Sequence, residues 1–240
     1  MYRECASHAD QILCVADLLS AAKSLSERHG YSAPDARTVA LVNIGTTAGS
    51  ALMALHLLNH WSRGSDEIRQ LIPRLVGVKM KDGVQATGEI FEHTSRMSLV
   101  LLAQFQIENL LRNIARELSV SAGLGFYGVA QDVLARLALP ADCVDVLNTP
   151  ARIRNSLHSN GIHRRLHPDE AERVVVQGVA YEFRDGQPLE CASWAHVAHA
   201  LEASVGVVGE ILDTPDVAAI PDPMFEHFAR TMSTEPGGAS

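Results

Sequence analysis

Aromatic residues are scarce in this chain, at 5% of 240 residues. The apolar content is instead dominated by Ala, Leu and Val, and Ala and Leu favour helix. Positive charge is also in deficit. The formal net charge is −8, which argues against broad electrostatic binding to nucleic acid, since that needs many Lys and Arg contacts to phosphates. None of the four cysteines (Cys5, Cys14, Cys143, Cys191) stands in C-x-x-C spacing. A zinc knuckle or a thioredoxin motif is therefore not indicated, and the cysteines read as buried thiols. No uninterrupted apolar run reaches the roughly 18 residues of a membrane span. The N-terminus lacks the basic region and apolar run of a secretory signal. The expected setting is cytoplasmic, with no membrane partner.

What is present is apolar residues in helical rhythm. Hydrophobic residues make up 47% of the chain, enough for a substantial core, so wholesale disorder is excluded. Apolar positions recur at helical spacing over about 3–29 and again over 35–61. Gly30 stops the first helix and Ser32-Ala33-Pro34-Asp35 starts the second. The two predict an antiparallel hairpin. Gly45 and Gly49 lie four apart, as close helix packing would use them. No Lys-Ser/Thr follows them, so they form no phosphate loop. Residues 62–88 are mixed, with turns at Arg63-Gly64-Ser65-Asp66 and Lys81-Asp82-Gly83.

A long helix is expected over 88–119. Its middle is apolar on nearly all sides, which indicates deep burial or a dimer face. Shorter helices follow over 126–138 and 141–159, the latter closed by Asn160-Gly161. Then the period changes. Val174-Val175-Val176 and Val179, Tyr181, Phe183 read as strands, and Asp185-Gly186 is a hairpin turn signal. A final helix spans 191–213, and a Gly/Ser-rich tail ends the chain. The expected fold is all-α, a helical bundle with a small β-hairpin insertion. Its parts are an N-terminal helical hairpin (1–62), a connection (63–88), a main helical domain (89–215) and a partly disordered tail (216–240).

Candidate chemistry concentrates in Arg152-Ile153-Arg154-Asn155-Ser156-Leu157-His158-Ser159-Asn160-Gly161. From Arg152 to Arg173 the formal charge is +2, against −10 for the remainder. Arg154 and His158 are four apart, so a helix places both on one face. Arginine holds a phosphate in a fixed fork and histidine moves protons near neutral pH. That pair suits metal-free cleavage of a phosphodiester. Equally, His158 can simply complement a helix C-terminus, and Arg154 can be a structural arginine. Asn155 can position a phosphate or cap a neighbouring helix. Arg152 reads as a solvated residue or a substrate-channel charge. Glu108 sits inside the apolar helix; a buried carboxylate wants a partner, and Arg154 is the candidate. His163, His167, His196 and His199 invite a metal reading, but Pro168 disfavours a helix through the first two and no carboxylate completes the set. Neither a metal nor a cofactor is expected.

The pattern resembles the HEPN superfamily (higher eukaryotes and prokaryotes nucleotide-binding domains) over about residues 90–213. Three features carry it: an acid embedded in a long apolar helix, Gln106-Ile107-Glu108-Asn109-Leu110-Leu111; a short helix leading to a second long one; and the closing Arg154-Asn155-Ser156-Leu157-His158. The family usually leaves four to six residues between Arg and His. Here three separate Arg154 from His158, and five separate Arg152, which Ile153 follows. The resemblance implies a homodimer with the Arg and His of both subunits at one cleft. It further implies either a metal-independent endoribonuclease of a toxin–antitoxin, phage-defence or RNA-processing system, with RNA and an antitoxin as partners, or a non-catalytic interaction or nucleotide-binding module. Its site residues would be Arg154 and His158, with Arg152, Asn155 and Glu108 on the substrate.

Overall fold

The computed structural model describes residues 7–75, 83–123, 125–165 and 171–225. Helix accounts for 69% and strand for 5%, so the fold is mainly α with one small sheet. Helix α1 (His8–His29) begins in a capping box, Ser7 with Asp10, and ends at Gly30 with φ +61°. There the Gly30 N–H donates to the Ser26 carbonyl, the left-handed stop that glycine adopts without penalty. Helix α2 (Ala36–Ser62) returns antiparallel, its first turn capped by the Asp35 carboxylate. At the open end of this hairpin His8 Nε2 donates to the Leu55 carbonyl at 2.8 Å. Among the described helices, α2 is long and apolar enough to cross a bilayer; its buried side packs on α1 and α4. Of the two glycines expected to bring helices close, Gly45 lies against Leu19, whereas Gly49 faces open space. The tight approaches are Gly88 against Trp61 and Gly209 against Leu25.

After α3 (Asp66–Leu75), α4 (Gly83–Glu117) runs for 35 residues, about 50 Å, and starts five residues before the expected point. Leu99, Val100, Ala103, Ile107, Leu110, Leu111 and Ile114 are buried along one side, while Leu102 and Phe105 remain 48% and 57% exposed on the other. Its apolar middle is thus half core and half open surface. Short α5 (Phe126–Arg136) leads to α6 (Cys143–His158), which carries Pro150 in its interior. Proline removes the N–H that the Val146 carbonyl would otherwise accept. The Ser204 hydroxyl of α7 (Trp194–Leu212) lies 3.1 Å from that carbonyl and 2.9 Å from the Ala200 carbonyl of its own helix, so its single proton is shared between the two. α7 is the central helix, buried along most of its length and packed by α1, α4 and α6. One core runs through α1, α2 and α4 to α7, so the N-terminal hairpin shares the core of the region it precedes.

The sheet pairs β1 (Arg173–Val176) with β2 (Val179–Glu182) in antiparallel register. The turn is Gln177-Gly178, with φ of +47° and +85°, the two positive angles of a type I′ hairpin. This corrects the expectation at Asp185-Gly186. That dipeptide turns the chain back toward residues 161–165, where Gly186 N–H donates to the His163 carbonyl and Leu189 N–H to the Gly161 carbonyl. Val174, Val176, Tyr181 and Phe183 point inward and are buried.

The segment after α7 is also part of the fold. Short α8 (Pro215–Ala218) and residues up to 225 cross the α1–α2 corner. There Asp35 and Arg37 are fully buried and joined by Nε–Oδ1 and Nη2–Oδ2 bonds of 2.8 and 2.6 Å. The guanidinium also donates to the carbonyls of Val217, Ile220 and Pro221, and lies 3.6 Å over the Tyr31 ring. Asp35 Oδ2 accepts from Met224 N–H at 2.7 Å. The part of the expected tail from 216 to 225 is therefore held in place; 226–240 lie outside the described residues.

Candidate functional site

Helices α4 and α6 lie side by side and bring Glu108 of the first, with its neighbour Arg112, to Arg154 of the second. Glu108 and Arg112 are four apart, so they meet on one face of α4. Arg112 Nη2 donates to Glu108 Oε1 at 2.7 Å, and Nη1 reaches the Ala122 carbonyl at 2.6 Å. The other carboxylate oxygen, Oε2, lies 3.6 Å from Arg154 Nη1. Arg154 Nε and Nη2 both donate to Asn155 Oδ1, at 3.1 and 3.0 Å. The Arg154 guanidinium is thereby fixed from two directions, by a carboxylate across the helix pair and by the next side chain along its own helix.

These three charged side chains are each about a fifth exposed. Glu108 therefore sits at the edge of the apolar region, with two arginines sharing its charge, rather than sealed inside it. Asn155 orients Arg154, and among the described residues no helix start is capped by it. His158 occupies the last turn of α6 and is exposed. It stands one helical turn beyond Arg154 on the same face. What this arrangement can do chemically is present a pre-oriented guanidinium fork beside a solvent-facing imidazole.

Arg152 is placed elsewhere. The expectation of a solvated or channel-lining charge does not hold: it is 5% exposed. Its Nη2 donates to the Ala171 carbonyl at 2.6 Å, and its guanidinium lies 3.9 Å over the Phe183 ring. These contacts tie the two segments flanking the β-hairpin to α6. Ser156 and His163 form a second buried link, with Ser156 Oγ donating to the Arg152 carbonyl at 2.9 Å and lying 3.0 Å from His163 Nδ1.

The other histidines have separate partners. His196 Nδ1 lies 2.8 Å from the capping Ser193 hydroxyl. His199 Nδ1 lies 2.8 Å from the Tyr181 hydroxyl, and burial pushes its pKa down to about 4. His167 lies outside the described residues. Among the described residues no three His, Cys, Asp or Glu side chains are gathered to hold a metal ion. Cys14, Cys143 and Cys191 are buried, and burial pushes the Cys191 thiol up to about 11. Cys5 is not among the described residues.

Arg112 is the member of the cluster that sequence reasoning missed. Its signal was present: an opposite charge four residues after Glu108. No family model, curated protein or solved structure matches the chain.

Proposed function

We propose that this chain is a metal-independent endoribonuclease of the HEPN type, acting as a homodimer. The observation that carries the proposal is the Arg154 fork, held by Glu108 and Asn155 one turn from the exposed His158. In this reading His158 removes the proton of a ribose 2′-hydroxyl. The 2′-oxygen attacks phosphorus, the bond to the 5′-oxygen breaks, and a 2′,3′-cyclic phosphate remains. Arg154 offsets the charge that grows on the phosphoryl oxygens. The leaving 5′-oxygen needs a proton in the same step. Among the described residues one subunit offers one exposed histidine on this face, so His158 of a second copy is assigned as the acid. The half-exposed Leu102 and Phe105 on α4, beside Glu108, supply an apolar contact for that second copy.

One observation favours a second reading, a non-catalytic interaction or nucleotide-binding module. All three Arg154 nitrogens already have polar neighbours within the subunit, so a phosphate must compete with Glu108 and Asn155 for them. Cleavage of RNA by purified protein in excess chelator separates the two. The nuclease reading expects wild-type cleavage and a loss of roughly a hundred- to ten-thousand-fold in His158→Ala. Arg154→Lys should fail as well, because an ammonium lacks the bidentate fork. Equal cleavage by the His158→Ala protein would discard the reading.

A further inference from the structure

A groove of about 670 Å³ runs along the N-terminal hairpin between α1 and α2. Leu19 of α1 and Leu41, Val42 and Met53 of α2 give it apolar walls, and Gly45 and Gly49 contribute backbone only. Val42 and Met53 are 51% and 66% exposed. Lys23 and Glu27, paired at 3.8 Å, stand on the α1 side. One end of the groove, at Ser26 and Glu27, lies in the last turn of α1, next to the α1–α2 corner. Apolar surface exposed in this way is favoured to lose water against another apolar face.

The chain itself delivers an occupant to that end. Met224 is held at the corner, where its carbonyl accepts from Ala36 N–H at 2.7 Å and its own N–H donates to Asp35. The next residue, Phe225, is 43% exposed. Residues 226–240 follow, outside the described residues, and begin Glu226-His227-Phe228-Ala229-Arg230-Thr231-Met232. Phe225, Phe228, Ala229 and Met232 fall at i, i+3, i+4 and i+7, the spacing of one apolar helix face. The residues between them are polar or charged. An amphipathic helix laid in an apolar groove is a recurrent mode of recognition. The lengths agree. At about 1.5 Å per residue, a helix leaving Phe225 along the hairpin carries Met232 about 10 Å from the corner, between the levels of Leu41 (about 8 Å) and Gly45 (about 14 Å) counted from Ala36. Tethering makes the encounter intramolecular, which raises the effective concentration of the segment above that of a free ligand.

We propose that residues 226–233 occupy the α1–α2 groove of their own chain as an amphipathic helix, with Phe228 and Met232 seated against Leu19, Leu41 and Val42. The contact is separate from the α4 surface beside Arg154 and is independent of the ribonuclease reading. It makes the segment a built-in competitor for any partner helix that would use the groove.

The test uses the full chain and the trypsin site after Arg230. A synthetic peptide of residues 222–240 gives the unprotected rate of cleavage at that site. Initial release of Thr231–Ser240 from the full chain, followed by mass spectrometry, should be slower by about tenfold or more, because cleavage tracks the population of the undocked segment. The protection should be constant over about a hundredfold range of protein concentration, as an intramolecular contact requires. Val42→Glu and Phe228→Asp should each restore the peptide rate. Val42 is half exposed, so the circular dichroism of Val42→Glu should be unchanged. Cleavage of the wild-type chain at the peptide rate would overturn the proposal. Protection that survives Val42→Glu would also overturn it, by placing the segment elsewhere. Protection lost on dilution would do the same, by assigning the groove to a second copy.

Discussion

Replacing Asp35 by alanine removes three supports at once, and the structure sets their size. Arg37 is fully buried and would lose both bonds to its carboxylate partner. Breaking a buried ion pair from one side costs roughly 3–5 kcal/mol, because the remaining charge stays desolvated. The cap on the Arg37 N–H also goes, worth about 1 kcal/mol. Met224 N–H loses its acceptor at 2.7 Å. These terms share atoms and do not add fully, so a total of about 4–5 kcal/mol is expected, a large part of the roughly 5–15 kcal/mol that holds a typical domain together. Urea unfolding followed by circular dichroism measures it. Limited proteolysis should cut the 215–225 segment first, since Asp35 and Arg37 anchor it to the α1–α2 corner. The double variant Asp35→Leu/Arg37→Met should be less damaged than Asp35→Ala, because it leaves no unpaired charge. A loss below about 1 kcal/mol in Asp35→Ala would refute the reasoning, since so small an effect is that of a solvated pair.

Three further outcomes are expected. Glu108→Leu should cost only about 1–2 kcal/mol in thermal unfolding, between the surface and buried limits for ion pairs, because Glu108 is about a fifth exposed; a loss above 3 kcal/mol would mean the site is closed to water. Arg152→Ala should cost about 2 kcal/mol, from the lost Ala171 carbonyl bond and the uncovered Phe183 ring, and should raise hydrogen exchange in the β-hairpin while α1 and α2 stay protected. The pKa of His199 in the fold is about 4, below the unfolded value near 6.5, so the unfolded chain binds more protons between those values. Its contribution is complete above pH 6.5 and fades as pH falls toward 4, by up to roughly 3 kcal/mol; His199→Gln should flatten that slope, and an unchanged slope would assign the acid sensitivity elsewhere.

The helices were legible because Ala and Leu recur at helical spacing and because Gly30 and Asp35 punctuate them with recognisable caps. The strands were legible from the alternation of Val179, Tyr181 and Phe183. Their turn was not, because Asp-Gly outranks Gln-Gly as a local signal, yet Gln177 takes a positive φ when pairing of Val176 with Val179 requires it. Glu108 stood out as an acid in an apolar helix, and its contact with Arg154 follows from that anomaly. Arg152 was misread because its charge is visible in the sequence and Phe183, thirty residues on, is not. The Asp35–Arg37 pair was hidden for the same reason. Two charged residues near a turn read as surface, and what buries them is a segment some 180 residues later. Local pattern reveals elements and caps, whereas burial of polar groups is decided by distant chain.

The chemistry assigned to His158 and Arg154 can be isolated with a single substrate. A short oligonucleotide with a single ribose among deoxyriboses confines 2′-hydroxyl attack to one phosphodiester. Incubated with the purified chain in excess EDTA, it should be cut only after that ribose, leaving a 2′,3′-cyclic phosphate that mass spectrometry resolves from a linear phosphate. The all-deoxy control should remain intact, and His158→Ala should leave both uncut. Cleavage of the all-deoxy strand, a linear phosphate as the first product, or an intact substrate after prolonged incubation would each contradict the account.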